Sequence, residues 1–140
     1  MMLCMVKGLK PKRVTRNVGM NPVARAVARD LLRQAVLNQK IQLYLLSENA
    51  ECVEILVPVA MLFTAFTVSA ERDANVGVEA REVRILKGAL SACNQMIANN
   101  SYHQTNTPAL EVALDCAVEL SRRVDPALFN RVWNELSGAL

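Results

Sequence analysis

The sequence predicts an all-α protein: a compact bundle of four to five helices with a flexible basic N-terminal arm. Three observations predict it. The pairs Asn21-Pro22, Thr107-Pro108 and Asp125-Pro126 each set a capping side chain before a proline. The cap oxygen accepts an orphan backbone N–H there, and proline's fixed φ suits the first helical position. Apolar residues Val83, Leu86, Leu90, Cys93 and Ile97 then recur three and four apart, the spacing of one helix face. Finally, 52% of the chain is hydrophobic but only 4% is aromatic, so the core is built from Ala, Val, Leu, Ile and Met. Small aliphatic cores favour closely packed helices.

At 140 residues the chain has room for one domain with a sufficient core. Residues 1–20 read as the arm, with Lys7, Lys10, Lys12, Arg13 and Arg16, two glycines and a proline, and no amphipathic pattern. Met20 is a second candidate start, which would leave the arm out of the native chain. Residues 21–140 read as a single helical domain.

The first helix is expected from Pro22 toward Leu46, with Ala24, Val27, Ala28, Leu31, Leu32 and Ala35 inward. After a connection at 47–50, Glu48, Glu51 and Glu54 suit the opening turns of a second helix through its dipole. That helix contains sixteen uncharged residues, Ile55–Ala70, and Pro58 near its start. Such a run is about 24 Å long as a helix, short of a hydrocarbon core of roughly 30 Å. Glu54 and Glu71 flank it, and it has no interfacial Trp or Tyr. It is therefore expected to be the central helix of a bundle, kinked at Pro58, and not a membrane span.

The third helix is expected over 78–98 and the fourth from Pro108, where Glu119 and Arg123 form an i,i+4 pair. The polar run Asn99–Thr107 lies between them as a loop. A short last helix turns Phe129, Val132, Trp133 and Leu136 inward. An alternative α+β reading pairs two strand-like segments as a hairpin around residues 41–57.

Templates for chemistry fail one by one. There is no phosphate-binding glycine motif, no GxSxG turn, and one histidine, His103, where a di-iron bundle needs two Glu-x-x-His pairs. A zinc site drawn from Cys93, His103 and Cys116 matches no short ligand motif. Cys4, Cys52, Cys93 and Cys116 are scattered, without a CxxC pair, and read as reduced thiols of a cytoplasmic protein. The first residues, with their charges after a short apolar run, do not read as a signal peptide. No catalytic residue, metal ligand or cofactor is expected.

Charge is lopsided. Residues 1–40 carry nine Lys or Arg against one acid, whereas residues 41–140 carry seven against twelve. Arg25, Arg29 and Arg33 lie four apart and form a row on the first helix. With Lys7, Lys10, Lys12, Arg13 and Arg16, the row is the candidate site for phosphates or for an acidic protein partner. Two other readings stand beside it: a solvated face, or arginines paired with the acidic remainder of the chain. Residues 1–40 contain no aromatic side chain, which disfavours stacking on single strands.

The second helix is apolar almost all round, and a small bundle has limited interior, so a homodimer is expected. Met61, Met96, Phe63 and Phe66 are candidates for the shared surface, with ordinary core as the first place for each.

The stretches "KPKRV" and "NPVARAVARDLL", followed by alanine-rich helices, resemble short helical proteins carried by proteobacterial phages and plasmids. The resemblance covers the first third of the chain and includes no diagnostic motif. It implies an accessory role, binding a host or phage macromolecule and sometimes inhibiting it, and it assigns no functional residue. The expected function is thus a non-enzymatic interaction protein that regulates or inhibits an unknown partner and self-associates. Nucleic-acid binding through the arm and arginine row is the second reading, and an enzyme with an undetected site the third.

Overall fold

A computed structural model of the chain describes residues 21–48, 53–76 and 80–139. The expected arm at residues 1–20 lies outside them. Among the described residues five helices follow one another: α1 (Pro22–Glu48), α2 (Leu56–Arg72), α3 (Arg81–Asn99), α4 (Thr107–Arg123) and α5 (Pro126–Ala139). Short 3-10 turns, Val53–Ile55 and Gln104–Asn106, lead into α2 and α4. No strand occurs among the described residues. Residues 41–46, half of the alternative hairpin, simply continue α1.

α2 is the central element, packed chiefly against α3 and α5 and also touching α4. Leu56, Val59, Leu62, Phe63, Phe66 and Ala70 are all buried, as an all-round apolar helix requires. Phe66 meets Phe129 of α5 with ring centroids 4.6 Å apart. The segment Val53–Arg72 is apolar enough over 20 residues to match a membrane span, but 61% of its apolar window is buried by the other helices. Phe63, Phe66 and Met96 are core residues, so they do not supply a shared surface.

Pro58 does not kink a longer helix. α2 begins at Leu56, which puts Pro58 in its first turn. A missing N–H costs nothing there, because the first-turn donors have no intrahelical acceptor. Further along, the Thr64 hydroxyl donates to the Ala60 carbonyl at 2.9 Å.

The helix ends show which caps are real. Asn21 Oδ1 accepts the Ala24 N–H at 2.7 Å, as its Asn-Pro sequence predicts. Thr107 is instead already helical, with Asn106 at the cap position, and its hydroxyl bonds the Tyr102 phenol. α3 ends on Asn100 at φ 51°, a left-handed conformation that asparagine tolerates. Asn100 N–H donates to the Ile97 carbonyl and Ser101 N–H to the Met96 carbonyl, each at 3.1 Å, closing the helix end.

α3 and α4 bury the faces their periodicity predicts: Val83, Leu86, Cys93 and Met96 on one, Leu110, Leu114, Ala117 and Leu120 on the other. Their charges pair differently from the expected i,i+4 rule. Glu119 accepts from Arg122 at 3.0 Å, whereas Arg123 crosses to Glu82 of α3 at 3.1 Å.

α1 lies mainly on α4, with further contact to α5 and little to α2. Its buried side chains are Leu32, Val36, Leu43 and Leu46. This is the largest departure from the sequence reading. Ala24, Val27 and Leu31, expected inside, face solvent, while Ala28 and Ala35 are half-buried. The buried face is rotated from the expected one: Leu32 is inside as expected, but Val36, Leu43 and Leu46 complete the face in place of Ala24, Val27 and Leu31.

Candidate interaction surface

The orientation of α1 follows from where its arginines go. Arg25 reaches the turn between α4 and α5 and pairs with Asp125, whose side chain is only 2% exposed. Asp125 begins α5: its carboxylate accepts the Ala127 N–H at 3.4 Å and its carbonyl the Phe129 N–H at 3.0 Å. Its own N–H donates to Asp73 Oδ2 at 3.0 Å. Asp73 is the buried residue that ends α2, and its other oxygen accepts the Asn75 N–H at 2.9 Å. One chain of polar contacts thus ties the start of α1 to the end of α2 and the α4–α5 turn.

Arg29 continues the same side of α1. Its guanidinium donates to the Ser121 carbonyl at 3.2 Å and to the Arg122 carbonyl. These belong to the last turn of α4, where carbonyls lack intrahelical donors and the dipole favours a cation. Arg33, by contrast, pairs on the surface with Asp30 at 2.8 Å. Gln34 donates to the same carboxylate at 3.0 Å.

The structure therefore divides the arginine row. Arg25 and Arg29 hold helices together, and Arg33 alone of the three lies on the outside in a pair with Asp30. Lys7, Lys10, Lys12, Arg13 and Arg16 lie outside the described residues. The pairing of Arg25 with Asp125 has no local sequence signal, since the two lie 100 residues apart. Sequence alone offers no way to choose that acid among twelve.

Turning the arginines inward turns the other side of α1 outward. Val23, Val27, Leu31, Leu37, Ile41, Tyr44 and Leu45 form an exposed apolar stripe along its length. Val23 is 74% exposed, Leu31 60% and Ile41 58%, so these are not the margins of a core. Asp30, Gln34 and Asn38 interrupt the stripe near its middle. Beside Leu31 opens an apolar groove of about 330 Å³, lined also by Ala28, Leu32, Ala35, Leu62, Phe129 and Trp133. Stripe and groove are continuous through Leu31. Sequence reading missed this surface because it assigned Val27 and Leu31 to the core.

The remaining reactive groups among the described residues are spread apart. Burial pushes the Cys93 thiol up to about 12 and raises Cys116 as well. Tyr102 is also raised by burial, opposed by its bond to Thr107. A backbone hydrogen bond in α3's first turn lowers the Glu82 carboxyl, opposed by partial burial and aided by the Arg123 guanidinium. His103 is exposed in the α3–α4 loop, and its backbone N–H donates to the Met96 sulfur at 3.3 Å. Among the described residues, no three of His, Cys, Asp and Glu converge as metal ligands.

Comparison with known proteins gives no relative to argue from: no protein-family model, no curated protein and no solved structure matches the chain.

Proposed function

We propose that this chain is a small non-enzymatic interaction protein that binds a partner macromolecule through the outer face of α1 and regulates it by occupancy. One observation carries the reading: the exposed stripe from Val23 to Leu45, on a helix whose other side is pinned to the bundle. Seven large apolar side chains there are each 38–74% exposed. Large apolar side chains gathered on one face, and not scattered singly, mark interaction sites. Asp30 and Arg33 neutralise each other in its midst, so the face favours an apolar protein surface over a charged polymer.

A photo-crosslinking residue placed at Val27 or Leu45, and separately at the exposed Asn94 of α3, tests this in cells producing the protein. Protein adducts from the α1 positions and none from Asn94 are the expected result. Adducts from Asn94 alone, or none from α1, would contradict it.

Nucleic-acid binding, the second reading, draws no support from Arg25 and Arg29 in these positions, since both are committed within the bundle. It rests on the five basic residues before residue 20.

A further inference from the structure

We propose that the occupant of the stripe is α1 of a second copy, packed antiparallel about a two-fold axis. This inference rests on the reading of the stripe as the interaction surface, and three observations support it.

The stripe is self-complementary when reversed. Val27, Leu31, Gln34, Asn38, Ile41 and Leu45 alternate four and three apart, the spacing of a helix-pairing seam. Laid antiparallel with its axis near Val36, Leu31 faces Ile41 of the second copy and Val27 faces Leu45. The two polar positions, Gln34 and Asn38, then face each other, so each amide finds an amide and no apolar position meets a polar one. A two-fold contact demands this reciprocity, residue i on j and j on i. Polar pairs within an apolar seam fix its register.

Charge favours the same arrangement. The outer face carries Asp30 and Arg33, already paired at 2.8 Å, and the seam itself is uncharged. A parallel pair would set Asp30 beside its own copy and Arg33 beside its own. The antiparallel pair separates them and opposes the two helix dipoles favourably.

The seam is open to a partner: Val27, Leu31, Ile41 and Leu45 are each 51–60% exposed, and Leu37 and Tyr44 flank them. The groove beside Leu31 extends it on one edge.

The test uses the full chain and two exposed positions, Leu31→Lys and Ile41→Glu. Mass is read by light scattering behind a sizing column, with circular dichroism confirming each fold. Wild type is expected at twice 15.4 kDa. Each variant alone is expected at 15.4 kDa, because it sets a charge against an apolar residue twice per dimer. An equimolar mixture of the two is expected to return to twice that mass. One contact then becomes Lys with Glu, and the other remains Leu31 with Ile41.

A parallel pair gives no such rescue, so a mixture that stays at 15.4 kDa overturns the proposal. A wild-type dimer that survives both substitutions also overturns it. A wild-type monomer overturns it too, and the crosslinks at Val27 then decide whether the stripe binds a different protein or nothing at all. A monomer that dimerises once residues 1–20 are removed assigns the stripe to the chain's own N-terminal segment and equally overturns it.

Discussion

Arg25 and Asp125, 100 residues apart in sequence, form an ion pair that fixes which side of α1 meets the bundle. Asp125 is buried and Arg25 nearly so, and the pair is single-armed: Arg25 Nη2 and Asp125 Oδ2 have no hydrogen-bond partner among the described residues. Removing one partner of a buried pair strands the other, at a typical cost of 3–5 kcal/mol. With a single contact and some exposure of Arg25, Asp125→Ala is expected to cost about 2–3 kcal/mol, including the lost α5 cap. Chemical denaturation of the two single variants and the double variant measures it. A coupling of about 1 kcal/mol or more confirms that the pair acts as a unit. No coupling would leave the orientation of α1 to its apolar contacts alone.

Arg29 and Arg33 stand four apart yet are expected to behave differently. Arg29→Ala removes the donor to two α4 carbonyls and is expected to cost about 1–2 kcal/mol. Arg33→Ala loses only an exposed pair with Asp30 and is expected to stay within about 0.5 kcal/mol of wild type. Denaturation midpoints separate them. Equal small effects would return both arginines to a solvated face.

The hydroxyl of Ser69 is buried in α2 and finds no hydrogen-bond partner among the described residues. A buried polar group left unpaired costs about 1–3 kcal/mol. Ser69→Ala is therefore expected to be neutral or to stabilise the fold by about 1 kcal/mol, read as an unchanged or raised Tm. A marked loss of stability would mean that this hydroxyl is bonded in solution.

Cys93 is expected to resist thiol reagents in the folded protein and to react only on unfolding. Its thiol is pushed from 9.0 up to about 12 by burial of the group, so almost no thiolate forms near neutral pH. The unfolded chain ionises first, so this contribution is complete below about pH 9 and lost as pH rises toward 12. Peptide mapping after alkylation checks the reactivity, and Cys93→Val should flatten the alkaline loss of stability. Cys116 and Tyr102, raised by burial too, add to that loss with the same sign.

Much of the fold is legible in the sequence because its periodicity is unambiguous there. α3 has one apolar face, and Val83, Leu86 and Cys93 had nowhere else to go. α2 is apolar all round, so its central place follows whichever way it is turned. Asn21-Pro22 announces the start of α1 through local chemistry that needs no distant partner. α1 is the exception, its buried face rotated from the expected one: Leu32 is inside, Val27 and Leu31 are not. Periodicity shows that Val27 and Leu31 share a side, but not that this side is buried, and Leu32 belongs equally to a neighbouring face with Val36 and Leu43. The deciding partners, Asp125 and the α4 carbonyls, come close only in the folded chain. The same long-range packing hid the candidate surface, since the stripe lies on the side of α1 away from Arg25, Arg29 and the buried Leu32, Val36, Leu43 and Leu46.

α1 directs Arg25 and Arg29 into the bundle and leaves its apolar stripe outside. Modification of native protein by an arginine-specific dicarbonyl, read residue by residue by mass spectrometry, tests it most directly. Arg33, 46% exposed, is expected to react readily, with Arg25 and Arg29 protected until the chain unfolds. Equal reaction at all three would put the arginine row back on the surface and contradict the account.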